Sequence, residues 1–291
     1  MAELLLSEAE RTYILHGVQD GVRIDGRSCA DFRYMEVETD LISHTNGSAR
    51  LRLENTEILA AVKAEIGTPD PARPTQGRIE FAVDCTANAT PEFEGRGGDE
   101  LASEIASMLR RAYENSQALD LPSLCLVPGQ QCWVLYVDIL ILECGGNLYD
   151  ASSMAAKAAI FNTKLTNVSV TEGEKGEREI TITDDPYDCR RLNVKHVPII
   201  ITLNKIGHSY VVDASMQEEA CSLARLMMGV TEDGHVTAVN KAGSGSLHPE
   251  TVLEMLQTGK KVGSVLNKNL RQKLEEEEKL GIKRTHFGFL R

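Results

Sequence analysis

The sequence predicts an α+β fold built from two similar lobes, each with strands first and helices later. Alternating apolar and polar residues, which are typical of half-buried strands, open each half of the chain. Apolar residues at helical spacing follow the strands in each half. The chain has 291 residues and 42% hydrophobic side chains, which suits one domain with two lobes or two small subdomains.

Residues 1–30 are expected to form an N-terminal helix and a charged turn. Ser7 and Glu10 have the spacing of a capping box, so a helix should begin there and end at about Gly17 or Gly21. The charged turn follows at residues 23–27, where two arginines and an aspartate flank a glycine.

The first lobe is expected to span residues 31–168 and to open with an antiparallel meander. Asn46 and Gly47 form a strong hairpin signal, and a second turn is expected at Asn55 and Thr56. Three prolines and two glycines in residues 67–77 predict a loop. The expected strands cover residues 35–41, 49–53, 58–66 and 79–83.

Two helices and a long strand complete the first lobe. Asp99 can cap a helix that carries an apolar stripe. Residues 133–142 are almost continuously apolar, which predicts a central strand buried on both faces. A tight glycine turn capped by Asp150 is expected at residues 145–150. An alanine-rich helix over residues 151–161 should then pack closely against a sheet.

The second lobe is expected to span residues 190–265, after an exposed loop at residues 172–178. A hairpin should turn at Asp233, and His248 should open a long helix that ends at about Leu280. The expected strands cover residues 196–204 and 208–213, and the hairpin covers residues 221–239. Residues 266–291 are assigned to the end of the C-terminal helix and a tail.

Composition and charge exclude several classes of protein. The formal net charge is −12, which argues against nucleic-acid binding over the whole surface but permits a local basic strip. The seven cysteines have no CxxC spacing and the histidines show no metal-ligand spacing, so we expect reduced thiols, no metal site and no cofactor. The acidic N-terminus and the lack of a long apolar run predict a soluble protein, not a membrane protein, in a reducing compartment.

Several segments, taken together and in order, resemble the RNase PH family from about residue 5 to residue 270. They are residues 23–27, 47–49, 55–63, 145–151, 212–213 and 217–219. No single segment is specific, but the ordered set is. Residues 91–95 and 146–151 are most similar to ring subunits of the eukaryotic RNA exosome. The resemblance implies an RNase PH-like fold of the ribosomal protein S5 domain 2-like type. It also implies a six-membered ring, S1/KH-type cap proteins and RNA threading through a central channel.

The resemblance also shows two departures from the phosphorolytic members. Those members hold phosphate with a Gly-Thr-Arg turn before a helix, where free N–H groups and an arginine favour an anion. The matching turn at residues 146–149 has neither the hydroxyl nor the arginine. Active members also carry two acids a few residues apart. Glu218 and Glu219 are retained, but residues 220–225 contain no acid, so the sequence predicts no intrinsic activity.

Basic residues near the RNA path of the family are candidates for phosphate contacts. For each, a solvated side chain or a contact to a neighbouring subunit is an equally good interpretation. The candidates are Arg96, Arg110, Arg111, Lys63 and Arg78.

The leading hypothesis is a catalytically silent structural subunit of the RNA exosome ring, found in nucleus, nucleolus and cytoplasm. It would line the RNA channel and hold neighbouring RNase PH-like subunits, beneath S1/KH-type cap subunits and beside the exosome nucleases. The alternative is a phosphate-dependent exoribonuclease whose composite site is completed by a neighbouring chain. A small-molecule kinase on a related fold is disfavoured because no glycine-rich nucleotide loop is present.

Overall fold

The first lobe contains a six-stranded mixed sheet. The computed structural model describes residues 6–113, 118–172, 178–183, 185 and 188–280. The sheet consists of β1 (Met35–Thr39), β2 (Gly47–Leu53), β3 (Thr56–Gly67), β4 (Arg78–Cys85), β5 (Cys125–Val127) and β6 (Gln131–Glu143). The strand order is β1-β2-β3-β6-β4, with β5 also paired to β6. The β4–β6 pair is parallel and the others are antiparallel, so the predicted meander is limited to β1–β3.

The predicted hairpin between β1 and β2 is present, but Asn46 and Gly47 do not form its turn. Residues 40–46 connect β1 to β2, and Gly47 is the first residue of β2. A Cβ atom at Gly47 would lie 2.5 Å from the carbonyl oxygen of Ala159, so glycine allows the sheet to approach a helix closely. The second predicted turn is present between β2 and β3, one residue earlier than expected, at Glu54 and Asn55, and Glu54 has a φ of 55°.

Three helices belong to the first part of the chain: α1 (Glu8–Gln19), α2 (Asp99–Tyr113) and α3 (Leu148–Asn162). The predicted capping box at Ser7 and Glu10 opens α1. Helix α3 begins three residues earlier than predicted and is buried on all sides from Leu148 to Ile160. A helix that is buried on every side lies inside the fold, and α3 contacts β2 and β3.

Two small sheets follow α3, and the sequence patterns did not predict them. They pair β7 (Lys164–Thr166) with β10 (Cys189–Arg191), and β8 (Val168–Glu172) with β9 (Arg178–Ile182). Part of the loop predicted at residues 172–178 lies outside the described residues, as does the tail at residues 281–291.

The second lobe is a four-stranded antiparallel sheet with two helices. It contains β11 (Ile199–Ile206), β12 (Ser209–Val212), α4 (Met216–Cys221), β13 (Ala224–Val230), β14 (Val236–Ala242) and α5 (Pro249–Leu280). The strand order is β12-β11-β13-β14. The predicted hairpin with a turn near Asp233 is present as β13–β14, and the predicted long helix is α5.

Helices α2 and α3 form a layer between the two sheets. Helix α3 contacts β2 and β3 on one side and β11 on the other, and α2 contacts β4 and β14. On β11, Thr202 hydrogen-bonds to α3, whereas the neighbouring Ile201 faces Gly263 of α5. Side chains alternate across a strand, so α5 covers the opposite face of the second sheet. Buried Leu270 and Leu274 show that α5 continues as one packed helix beyond residue 266.

The prediction that the central strand is buried on both faces is confirmed for residues 133–135 of β6 but is wrong further along the strand. Val137, Ile139 and Ile141 point into the core, whereas Asp138 between them is exposed. The outer face of the first sheet is therefore exposed at Asp138, whereas Cys132 and Val134 on the same face of β6 are buried. No helix in the described part of the chain is long and apolar enough to cross a bilayer.

Lys157 is a buried cation in the middle of α3. Its side chain is fully buried, and its Nζ donates to the carbonyl oxygen of Val197 (2.8 Å) and to Oδ1 of Asn267 on α5 (2.5 Å). Burial lowers the pKa of Lys157 to about 7. The amine therefore joins α3 both to the segment before β11 and to α5, through two neutral acceptors. Desolvation penalises its protonated form.

Replacing this amine should change how stability depends on pH. The folded pKa lies below the unfolded value, so between about pH 7 and 10 the unfolded chain binds a proton that the folded chain does not. Lys157 should therefore make the free energy of unfolding rise by roughly 2 kcal/mol from pH 7 to pH 9. Urea denaturation at both pH values should show this rise in the wild type and its loss in Lys157→Met. Parallel pH profiles for the two proteins would contradict this prediction.

Candidate functional site

The charged turn after α1 reaches across the molecule to the second lobe. Arg23 donates from Nε and Nη2 to both carboxylate oxygens of Glu218 (2.8 and 2.6 Å) and from Nη1 and Nη2 to the carbonyls of Val212 and Asp213. Arg23 and Glu218 are both buried. Burying a guanidinium and a carboxylate costs desolvation free energy. A bidentate contact offsets this cost, because each group gains an opposite charge and two hydrogen bonds.

Asp213 is the centre of a second cluster of charges. It follows β12 in the left-handed region (φ 49°), and its side chain is fully buried. Its Oδ2 accepts from the Nε and backbone N–H of Arg33 and from Arg27, while Oδ1 accepts from Arg33 and Asn147. Burial raises the pKa of Asp213, but the hydrogen bonds and charge of Arg33 outweigh it and hold the pKa below its ordinary value.

The turn before α3 is held against this cluster. Gly146 has a φ of 94°, and a Cβ atom there would lie 2.8 Å from the carbonyl oxygen of Ala214. Asn147 also adopts the left-handed region, with a φ of 57°. Arg33 donates to the carbonyl oxygens of Gly145 and Gly146. The turn is therefore fixed by contacts from both the N-terminal segment and the second lobe.

The backbone N–H at the start of α3 already has a side-chain partner. Asn147 donates its backbone N–H to Oε1 of Glu219 at 2.8 Å. Burial raises the pKa of Glu219, although this hydrogen bond and the nearby Arg225 and Arg33 oppose the shift. A carboxylate at a helix N-terminus occupies the position that favours a bound anion. In this chain a side chain of the protein itself, that of Glu219, occupies that position.

Asp150 does not cap the turn, contrary to the prediction. It lies in the first turn of α3, fully buried, and accepts hydrogen bonds from the backbone N–H and Oγ1 of Thr202 (3.1 and 2.7 Å) and from Asn147 Nδ2 (3.2 Å). Burial raises the pKa of Asp150 to about 7. Its role is to join α3 to β11.

A cavity of about 290 Å³ opens beside the start of α3. Tyr149 forms one wall, donates its hydroxyl to Glu104 (2.6 Å) and carries the guanidinium of Arg225 over its ring, 5.1 Å from the centroid. Glu219 and Arg11 also line this cavity. The remaining lining is largely apolar, from Phe93, Leu101, Cys144, Leu148 and Met216.

The two retained acids are both used for structure. Glu218 is locked in its ion pair with Arg23, and Glu219 faces the start of α3. Ser215 and Glu218 also form a capping box that begins α4. Among the described residues, no three His, Cys, Asp or Glu side chains are grouped as they would be around a metal ion.

The five predicted RNA-contacting residues do not converge. Lys63 and Arg78 share the outer face of the first sheet, where each pairs with an acid two residues away, Glu65 and Glu80. Arg96 is exposed in the turn between the short helix Pro91–Phe93 and α2.

Arg110 and Arg111 are exposed in the last turn of α2, as predicted. Leu101 of the same helix lines the cavity, so these arginines lie about 14 Å further along the helix axis. The contact of any of the five residues with RNA stays a prediction.

Three cavity residues were missed from the sequence as site residues: Arg11, Tyr149 and Arg225. Nothing local identifies them, because they meet only when α1, α3 and β13 assemble. Helix α4 could have been found, since Ser215 and Glu218 carry the capping-box spacing in the sequence.

The fold and the site define an RNase PH-like protein. The model of the 3′ exoribonuclease family, domain 1, matches residues 31–166, and the model of domain 2 matches residues 196–262. The chain therefore belongs to the 3′ exoribonuclease family.

Its relatives are exosome proteins. It is 39% identical to the exosome complex component Rrp42 of Thermococcus kodakarensis, over 93% of this chain and 97% of that one. It is 33% identical to a Dictyostelium discoideum protein provisionally named an exosome complex exonuclease, RRP42, over 92% and 98%. Among solved structures, a chain of the Archaeoglobus fulgidus exosome with RNA bound to the active site matches with a TM-score of 0.75 and 31% identity, covering 91% of this chain and 98% of that chain.

Removing the charge of Asp213 should destabilise the protein strongly. In Asp213→Asn, two arginines lose their buried carboxylate and face an amide that can donate hydrogen bonds toward them. Loss of one partner from a buried charge cluster costs about 3–5 kcal/mol. Chemical denaturation at neutral pH should show a decrease of that size in the free energy of unfolding.

Asp25→Asn is the matched control. Asp25 also pairs with Arg27, at 2.7 Å, but its side chain is partly exposed. Solvent-exposed ion pairs contribute less than about 1 kcal/mol, so this variant should unfold close to the wild type. If both substitutions lowered the free energy of unfolding equally, the buried Asp213 cluster would contribute no more to stability than an exposed ion pair.

Proposed function

We propose that this chain is a non-catalytic structural subunit of an RNA exosome ring. It would support 3′-to-5′ RNA processing and degradation by holding neighbouring RNase PH-like subunits and lining the channel through which RNA passes. The S1/KH-type cap subunits and the exosome nucleases are the further partners that we propose. We also propose that it acts in nucleus, nucleolus and cytoplasm.

The observation that carries this proposal is the contact between Glu219 and the start of α3. The phosphate-holding turn of phosphorolytic relatives corresponds to residues 146–149, which here lack the hydroxyl and the arginine. The N–H of Asn147 at this turn instead binds the carboxylate of Glu219. A phosphate could bind this N–H only by displacing the side chain of Glu219, which already accepts its hydrogen bond. Exosome components among the relatives, matched over nearly their full length, support the ring role.

One observation favours the alternative, a composite phosphate-dependent exoribonuclease site shared with a neighbouring chain. Arg11 and Arg225 line the cavity beside Glu219, and a guanidinium is well suited to bind phosphate. In this alternative the partner would provide the missing acid and the phosphate-holding turn. Arg225 is already stacked on Tyr149, and this stacking is equally consistent with a purely structural role.

Phosphorolysis assays should distinguish the two functions. The purified chain, given RNA and inorganic phosphate, should release no nucleoside diphosphates. After reconstitution with its neighbouring RNase PH-like chain, Arg225→Ala and Arg11→Ala should leave the rate of phosphorolysis unchanged within about twofold. A composite site would instead lose about 100-fold or more when a charge-stabilising group is removed.

Glu219→Ala provides the matched test of the chain alone. This variant frees the N–H of Asn147 but restores neither the arginine nor the second acid, so it should also be inactive. Release of nucleoside diphosphates by the isolated wild type would show that the non-catalytic assignment is wrong.

Sedimentation should show assembly with the neighbouring chain. A chain that stays monomeric in its presence would contradict the ring role.

A further inference from the structure

Two cysteines face each other across an antiparallel strand pair, away from the cavity. Cys125 of β5 and Cys132 of β6 are direct partners in the register, and all seven cysteines are free thiols. No other two cysteines are register partners in the strand pairs that the structure describes.

The backbone already holds this pair within bonding range. Residues directly opposite each other in an antiparallel pair have Cα atoms about 4.5 or 5.5 Å apart, and their side chains leave the same face. Disulfides form between residues whose Cα atoms are about 4.4–6.8 Å apart. Either kind of opposite pair therefore satisfies the main backbone requirement for a disulfide between Cys125 and Cys132.

Strand β5 can make the small adjustment that a sulfur–sulfur bond requires. It has three residues and pairs only with β6, and its register is irregular between Cys125 and Val127. Strand β6, in contrast, lies between β3 and β4. A short edge strand with an irregular register moves at less cost than a central strand, so Cys125 can approach Cys132.

The two thiols differ in exposure to solvent. In a two-step oxidation, the more exposed thiol reacts with the oxidant and the buried thiol then reacts with the first one. Cys125 is half-buried and its Sγ lies 3.9 Å from the carbonyl oxygen of Pro74 in the surface loop between β3 and β4. Cys132 is fully buried beneath it. Burial raises the pKa of Cys132, so this residue remains a protonated thiol in the resting protein. An oxidant from solvent meets Cys125 first, with Cys132 next to it.

We propose that Cys125 and Cys132 form a redox modification site, at which a hydroperoxide converts two thiols into a cross-strand disulfide. In the first step the sulfur of Cys125 attacks one peroxide oxygen and the O–O bond breaks. The leaving oxygen takes the thiol proton, so Cys125 sulfenic acid forms together with the alcohol of the hydroperoxide, or with water when the oxidant is hydrogen peroxide. In the second step the sulfur of Cys132 attacks the sulfur of Cys125. The S–O bond breaks, and the oxygen leaves as water with the thiol proton. Two thiols supply the two electrons that reduce the peroxide, and a dithiol reductant reverses the change.

The disulfide would fix the hairpin beside the loop at residues 67–77. The backbone N–H of Gly129, between β5 and β6, donates to the carbonyl oxygen of Pro74 at 2.8 Å. Oxidation would therefore anchor both this loop and the first residues of β6, where Val134 pairs with Arg78. This inference does not rest on the proposed ring function.

The test uses the full-length wild-type chain treated with hydrogen peroxide, then denatured for thiol titration and peptide mapping. We expect the accessible thiols to fall from seven to five, with one intramolecular link that joins the Cys125 and Cys132 peptides. Dithiothreitol should restore all seven. Seven thiols after oxidation, a link between other cysteines, or a disulfide between two chains would overturn the proposal.

Variants separate the two steps. In Cys132→Ser the second thiol is missing, so the sulfenic acid of Cys125 should persist and be trapped by dimedone. In Cys125→Ser the first thiol is missing, so the oxidation of Cys132 should slow by about tenfold or more. Cys189→Ser is the matched control, because Cys189 is also half-buried but faces Thr166, and it should retain the wild-type link. Loss of the link in Cys189→Ser, or dimedone labelling that is absent from Cys132→Ser, would count against the site.

Discussion

The buried carboxylate of Asp213 is the contact on which the arrangement of the two lobes depends. It binds Arg33 and Arg27 of the N-terminal segment and Asn147 at the start of α3, and it directly follows a strand of the second sheet. None of these charged groups can return to water without unfolding, so each must keep its partner. Together with the pair between Arg23 and Glu218, this cluster fixes the N-terminal segment, the turn before α3 and the second lobe relative to one another.

In this chain the acidic segment after β12 and the glycine-rich turn before α3 are held by contacts within the protein. Glu218 belongs to a buried ion pair, and Glu219 binds the N–H at the start of α3. The cavity beside that turn has an aromatic wall with a stacked arginine. These contacts are structural, and they support a subunit whose contribution is its shape and its surfaces.

The sequence predicted the regular elements well, because their signals are local. Period-2 alternation located the main strands, and the capping box at Ser7 located α1. Local signals failed where a distant contact decides the structure. The sequence places Gly47 in a turn, but it begins β2, and the close approach of α3 leaves no room there for a side chain. The contact between Asn147 and Glu219 joins residues 72 positions apart, so no spacing rule could have indicated it. The same is true of the cavity that Arg11, Tyr149 and Arg225 form together.

The most direct measurement is a structure of this chain in its reconstituted ring, determined with an excess of inorganic phosphate. The central claim is that the anion position at the start of α3 is filled by the protein itself. We predict that Oε1 of Glu219 still accepts the N–H of Asn147, and that no phosphate lies at this turn. A phosphate bound to that N–H, with the carboxylate of Glu219 turned away, would contradict the claim.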